Sequence, residues 1–333
     1  MTSSAYQQAG VDIAAKMAII DRIRTAASST YSAAVLGGVG GFGGLFQLSP
    51  DAILVASTDG IGTKTMLAAQ YGRFRTLGHD IVNHCVNDIL CQGAHPLFFL
   101  DYIAASQLDS ATVAEIVEGM AEACRAVGCA LLGGETAEMP GVYQPGQFDL
   151  AGTIIGLVRP EDRLPRADIV PGDVLLGLES SGPHTNGYSL IRRVLGEWSA
   201  AAPIPPDLLE MTLAPHRCYL HAVQALSTVG PIKALAHITG GGFFDNIPRV
   251  LPGTLGASIE RGSWPIPPLF TAIAERGHVA ESELYRVFNM GIGLVVIVSP
   301  ETAAAMQTLH DERISGTVHR IGEVVSGGGV QLR

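Results

Sequence analysis

The sequence carries no excess of positive charge: its 333 residues hold 21 Lys and Arg against 31 Asp and Glu, a formal charge of -10. Affinity for nucleic acid comes largely from neutralising phosphates with cations, so this balance argues against a nucleic-acid partner and for a small-molecule substrate. Long apolar runs are missing too. No segment stays apolar for the roughly 18 residues that a membrane helix needs, and Met1 to Gln8 shows no basic region followed by an apolar run. A cytoplasmic protein without a membrane partner is expected. The five cysteines, Cys85, Cys91, Cys124, Cys129 and Cys218, include no C-x-x-C pair and no His at zinc spacing, which points to buried free thiols in a reducing compartment.

What is present describes a compact globular chain with many tight turns: 47% hydrophobic residues, 16% charged, and 40 glycines. Its length favours two domains. Apolar runs bounded by Gly and Pro alternate with amphipathic stretches, the mark of mixed α/β architecture. Strands are expected at Ala52 to Thr58, Leu97 to Ala104, Ala130 to Leu132, Gly152 to Val158 and Asp173 to Leu178, with apolar segments at Ala234 to Ile238 and Leu294 to Val298. Helices are expected at Thr63 to Tyr71, His79 to Cys91, Ser110 to Val127 with Asp109 or Ser110 as cap, from about Gly187, and at His216 to Leu226. The polar stretch Arg159 to Pro171 divides the chain, giving domains of residues 1–168 and 169–333. The clusters Pro203 to Pro206 and Pro265 to Pro268 read as surface turns.

Six stretches carry chemistry. Gly37 to Gly44 holds six glycines in eight positions, so that Gly40, Gly41, Gly43 and Gly44 could cradle phosphates or serve as a hinge; the P-loop and dinucleotide patterns are both absent. In Ser57 to Lys64 a strand ends in Asp59, Gly60, Gly62, Thr63 and Lys64, a turn suited to an anion and its magnesium, or a plain helix start. From His79 to Asp88, Asn83 with Asn87 and His84 with Asp88 share helical faces, and Asp88 is a candidate magnesium ligand. Glu135 and Glu138 follow Gly133 and Gly134, and Glu135 is the better candidate to join Asp59 and Asp88 on a hard cation. Ser180 to Ser189 gathers Gly182, His184, Thr185 and Asn186 on a loop able to grip a phosphorylated substrate while His184 moves a proton, or simply to cap a helix. His237 to Asn246 is again a strand end followed by glycines, and either completes a nucleotide site or allows close packing.

Taken together, these stretches resemble the aminoimidazole ribonucleotide synthetase family, also called phosphoribosylformylglycinamidine cyclo-ligase. The resemblance runs from Tyr6 to Asp12 through Phe288 to Gly293 and is carried by Val86 to Tyr102, Gly133 to Tyr143, Ser180 to Arg192 and His237 to Val250. The first cysteine is Cys85, so the reactive N-terminal Cys of the related selenophosphate synthetases is absent. The resemblance implies a homodimer of two-domain α/β (α+β) subunits, whose N-terminal sheets join in a barrel across the dimer and whose C-terminal domain is mixed α/β. It implies ATP and Mg2+ as cofactors: ATP phosphorylates the formyl oxygen of formylglycinamidine ribonucleotide, and an internal nitrogen displaces phosphate to close the ring. It assigns the metal to Asp59, Asp88 and Glu135; the nucleotide to Gly40, Gly41, Gly43, Gly44, Asp59, Gly60, Thr63, Lys64, Asn87, Asp88 and His237; the substrate to Gly182, His184, Thr185 and Asn186; and catalysis to His184 and Lys64. One departure stands out. Thr25 to Ser32 lacks the basic residues that many relatives carry, leaving Arg24 as the nearby cation.

Overall fold

The computed structural model describes residues 13–196 and 204–333, with side chains from Ile19 onward; Met1 to Asp12 and Pro203, both read above, lie outside the described residues. Along Ala52–Gly60, Ile53 and Val55 are buried while Leu54 and Thr58 turn the other way, a period of two that makes a strand with one face against a core. The same alternation along Phe148–Val158 buries Leu150, Gly152, Ile154, Gly156 and Val158. The first sheet contains β1 (Val35–Gly37), β2 (Gly44–Ser49), β3 (Ala52–Gly60), β4 (His95–Ala105), β5 (Ala130–Glu138) and β6 (Phe148–Val158), in the order β1-β2-β3-β6-β4-β5. Its pairs are antiparallel except β4 with β5.

Helices α1 (Ile13–Ser28), α2 (Lys64–Tyr71), α3 (Arg75–Leu90) and α4 (Ser110–Ala126) belong to this half. Asp109 caps α4 by accepting from the Thr112 amide at 2.8 Å. α3 lies on β3, β4 and β6, and α4 packs on α3. Two glycines let those helices touch through their backbones. A Cβ on Gly78 would stand 2.2 Å from the Ile116 carbonyl oxygen, and one on Gly119 would stand 2.0 Å from that of Arg75. This close approach sets the height of α3, and α3 carries much of the site described below.

The second sheet contains β7 (Val174–Glu179), β8 (Ala234–His237), β9 (Leu255–Ile259), β10 (Ile292–Val298), β11 (Val318–Ser326) and β12 (Gly329–Leu332), in the order β12-β9-β11-β7-β10-β8. The helices of this half are α5 (Tyr188–Leu195), α6 (Pro206–Leu213), α7 (Leu220–Ser227), α8 (Gly242–Asn246), α9 (Pro268–Arg276), α10 (Glu281–Val287) and α11 (Pro300–Gln307). Every residue of β10 is buried, which is why it reads as an unbroken apolar run rather than an alternation. The division proposed between residues 168 and 169 falls between β6 and β7.

Several expected elements change. β5 does not stop at Leu132 but pairs with β4 as far as Glu138. Helix α3 starts a turn before His79, and α7 starts at Leu220 rather than His216. Pro206 and Pro268 each open a helix, a position where the missing amide hydrogen is harmless. The outer face of the first sheet, away from α3, leaves Phe46, Leu100 and Tyr102 exposed. No described helix is long and apolar enough to cross a membrane. All five cysteines are free, and four are buried.

The α3–α4 contact gives a test with a sign opposite to intrinsic propensity. Gly→Ala in a helix ordinarily stabilises by about 1 kcal/mol, yet Gly119→Ala should destabilise by roughly 1–3 kcal/mol, because its methyl meets backbone that cannot yield cheaply. Denaturant unfolding measures this, and a more stable variant would refute the close approach.

Candidate active site

Helix α3 presents Asp80, Asn83, His84, Asn87 and Asp88 along one stripe, at the spacing that keeps side chains on one helical face. Most of that stripe faces residues 214–219 of the second half. Asp80 accepts from the His216 amide at 2.7 Å, and the Asn83 amide donates to the His216 carbonyl at 2.7 Å. Asn87 donates to the Arg217 carbonyl at 2.8 Å and accepts from the Tyr219 amide at 2.9 Å. The backbone of this segment is thus held out of a helix by side chains of the other half, which delays α7 until Leu220.

Asn87, expected at the nucleotide, is engaged at both ends of its amide across the domain junction. Lys64 is likewise corrected as a nucleotide and catalytic residue. Its ammonium is fully buried, 2.9 and 2.8 Å from the two Asp80 carboxylate oxygens, and it donates to the carbonyls of His184 at 3.1 Å and Ala214 at 2.9 Å. Burial lowers the Lys64 pKa and raises that of Asp80, each opposed by the partner's charge. The pair stands as an ion pair because two carbonyls and one amide complete its solvation.

Beside this junction runs a second polar system. His84 Nε2 donates to Asp59 Oδ2 at 2.7 Å and lies 3.8 Å from Asp88 Oδ2. His84 Nδ1 is 2.7 Å from the Thr185 hydroxyl, and that hydroxyl is 3.4 Å from His216 Nδ1. His216 Nε2 meets His237 Nε2 at 2.9 Å, and His237 Nδ1 donates to Asp88 Oδ1 at 2.8 Å. Burial works against a charge on His84, but Asp59 and then Asp88 outweigh it and raise its imidazole to about 9. Burial also works to raise the Asp59 carboxyl, yet the His84 charge and the Gly60 amide hold it at about 2. Burial pushes His216 and His184 well below the ordinary imidazole value, with neighbouring cations adding to it, so both rings are neutral. Sequence reasoning singled out Asp59, Asp88, Thr185 and His237 but left out Asp80, His84 and His216 as site residues. For Asp80 and His84 the four-residue recurrence with Asp88 was the available signal; His216 had none.

The glycine stretch connects β1 to β2 and, with Tyr31, Ala56 and Thr58, lines an open cleft of about 530 Å³. Gly40, Gly41, Gly43 and Gly44 all line it. Arg24 reaches this loop, its Nε donating to the Val39 carbonyl at 3.3 Å. The Ser57 hydroxyl stands 3.2 Å from both the Phe42 carbonyl and Asp88 Oδ2, so one side chain joins the end of the glycine loop to the carboxylate site.

Three further expectations change. Glu135 pairs with Tyr102, Tyr102 with Ala151, and Ala151 with Gly60. That places Glu135 three strand spacings, about 14 Å, from β3, and on the outer face, whereas Asp59 is on the inner one. Within one chain it cannot share an ion with Asp59 and Asp88. Gly134 serves the strand pairing instead, since a Cβ there would meet the Asp101 carboxylate at 2.3 Å. His184 is fully buried; its ring stacks on His216 with centroids 3.9 Å apart, and its φ of 60° is unusual for a residue with a side chain. The Thr185 hydroxyl is occupied by His84 and His216 rather than offered to a substrate. Of the same loop, Asn186 has a buried Nδ2 with no partner, with Gly240 beside its Oδ1. Thr63 Oγ1 is 3.4 Å from Ser189 Oγ, and Gly60 donates its amide to Asp59 Oδ1.

Residues 32–158 match the family described as AIR synthase related protein, N-terminal domain, and residues 170–333 match its C-terminal domain. The chain is 48% identical over 338 residues to the phosphoribosylformylglycinamidine cyclo-ligase of Geobacillus thermodenitrificans, covering 98% of this chain and 97% of that one. The chain belongs to the phosphoribosylformylglycinamidine cyclo-ligase family. The Chromobacterium violaceum member is 47% identical, over 97% of this chain and 95% of that one. Solved structures share the family's fold at lower identity. AaThiL complexed with AMPPCP and TMP superposes with a TM-score of 0.66 at 17% identity, over 94% of this chain and 92% of that one. T. maritima PurL complexed with AMPPCP gives 0.56 at 17%, over 87% of this chain and 43% of that one.

The Lys64 correction is testable. Lys64→Met should cost roughly 3–5 kcal/mol of stability by stranding Asp80, and adding Asp80→Asn should recover much of it. Denaturant unfolding of the single and double variants measures the coupling. A Lys64→Met protein of unchanged stability that no longer binds ATP would return Lys64 to the nucleotide.

Proposed function

We propose that the chain closes the imidazole ring of 5-aminoimidazole ribonucleotide from formylglycinamidine ribonucleotide, consuming ATP and releasing ADP and phosphate, in de novo purine biosynthesis in the cytoplasm. The observation that carries this reading is the joining of the glycine-lined cleft to Asp88 through Ser57, in a chain nearly half identical to named cyclo-ligases along its whole length. The AMPPCP complexes of AaThiL and T. maritima PurL, of like fold, support ATP as the nucleotide.

The formyl oxygen attacks the γ-phosphorus and ADP leaves; the internal nitrogen then attacks the formyl carbon, loses a proton, and phosphate departs with the oxygen. Phosphoryl transfer of this kind asks for positioning and charge neutralisation more than for a covalent nucleophile. Asp59 and Asp88 both approach the same His84 nitrogen, and Asp59 keeps 39% of its side chain exposed. Two hard carboxylates beside a nucleotide cleft fit a magnesium ion, which takes one or two carboxylates together with phosphate oxygens and water. That ion would neutralise charge on the phosphates. The chain's own contributions are the backbone amides of Gly40 to Gly44 and the Arg24 guanidinium at the cleft, and His84 and His237, which orient the two carboxylates. Asn186 is the substrate-side donor this reading favours, since its buried Nδ2 lacks an acceptor, with Gly182 shaping the loop. His184 acts by seating His216 rather than by meeting the formyl group.

A homodimer completes the reading. The exposed apolar face bearing Phe46, Leu100 and Tyr102 lies on an open six-stranded sheet, and pairing with a second copy would cover it. Light scattering at micromolar protein should return twice the chain mass, and Leu100→Asp should shift it toward the monomer; a monomeric parent would refute the dimer.

For the reaction, ADP release should depend on formylglycinamidine ribonucleotide. Asp88→Asn should weaken use of magnesium and ATP by roughly tenfold or more while unfolding stays cooperative. Substrate-independent ADP release, or unchanged ATP kinetics in Asp88→Asn, would defeat the assignment.

A further inference from the structure

Five contacts join Asp59 to Asp88 through both halves of the chain: Asp59 to His84, His84 to Thr185, Thr185 to His216, His216 to His237, and His237 to Asp88. Every member except Asp59 is buried, so water does not substitute for a missing partner cheaply. The two ends belong to β3 and α3. The middle, Thr185 and His216, comes from the second half, where Thr185 adjoins Asn186 with its unpartnered Nδ2.

The Thr185 hydroxyl has one hydrogen to give and meets a ring nitrogen on either side, so it donates to one of His84 and His216 and accepts from the other. Each ring in turn uses both nitrogens, His84 on Asp59 and Thr185, His216 on Thr185 and His237, and His237 on His216 and Asp88. Losing any one contact strands a buried donor or acceptor, which costs about 1–3 kcal/mol.

We propose that Thr185 and His216 are positioning residues that transmit the state of the substrate-side loop, residues 180–187, to the two nucleotide-side carboxylates. Neither touches the reacting atoms. A shift of that loop on filling its site moves the Thr185 hydroxyl, and the hydroxyl is the one link that serves both arms of the chain, His84 with Asp59 and His216 with His237 and Asp88. The stacking of His184 on His216 at 3.9 Å gives the same loop a second hold on the same ring. The inference rests on the reading of Asp59 and Asp88 as the nucleotide-side carboxylates.

Two measurements test it. Binding of AMPPCP with magnesium is measured with and without formylglycinamidine ribonucleotide in the parent, Thr185→Val and Thr185→Ser. The parent should show coupling of about fivefold or more, Thr185→Val should lose it, and Thr185→Ser should regain it, since serine restores the hydroxyl but not the methyl. A parent without coupling, or a Thr185→Val protein that keeps it, overturns the proposal. The same binding measurement on His216→Gln should also lose the coupling, and a His216→Gln protein that keeps it overturns the proposal. Substrate-dependent ADP release by the parent is read separately, so a parent that releases ADP but shows no coupling separates failure of this inference from failure of the functional reading.

Discussion

The structure depends on one buried charge pair that can exist only where two halves of the chain meet. Removing an ammonium and a carboxylate from water is expensive, and their mutual attraction repays it only when other groups complete their solvation. For Lys64 and Asp80 those groups are the carbonyls of His184 and Ala214 and the amide of His216, all from the second half. The pair therefore does more than hold itself together. It fixes where the 180–187 loop and the 214–219 segment run relative to α3. The exposed pairs Arg75–Glu118 and Arg75–Glu122 contribute far less, because solvent screens them.

From that junction the rest of the site follows. With His216 pinned through its backbone to Asp80 and Asn83, its ring falls between His184, Thr185 and His237. His237 and His84 then present hydrogens to Asp88 and Asp59. Two carboxylates sit in a partly buried place against His84 and His237, beside a glycine-lined cleft. Such a place suits a polyanion and its counter-ion, where orientation of charge matters more than a strong nucleophile.

The sequence reading succeeded where signals are local and went astray where they are not. Asp109 as helix cap, the strand at Ala52 and the long helix from Ser110 all follow from neighbours within a few residues. Glu135 went wrong by strand parity and distance: Gly133 and Gly134 look like a turn, but the pairing of β5 with β4 keeps them extended and turns Glu135 to the face opposite Asp59. Lys64 went wrong for another reason. A lysine opening a helix after glycines suggests an anion, and only the approach of Asp80 and two distant carbonyls shows that its charge is already matched. Arg24, the cation left by the departure before the glycine loop, does reach that loop.

By itself the sequence determined the α/β class, the alternation of strands and helices, the glycine loop, and the family, because motif order and spacing survive without coordinates. Only the tertiary structure decided which polar residues hold the fold and which are left for chemistry. The physical reason is that a buried polar group is defined by its partner. The backbone partners of Asp80, Asn83 and Asn87 lie more than a hundred residues away along the chain, and no local pattern encodes that distance.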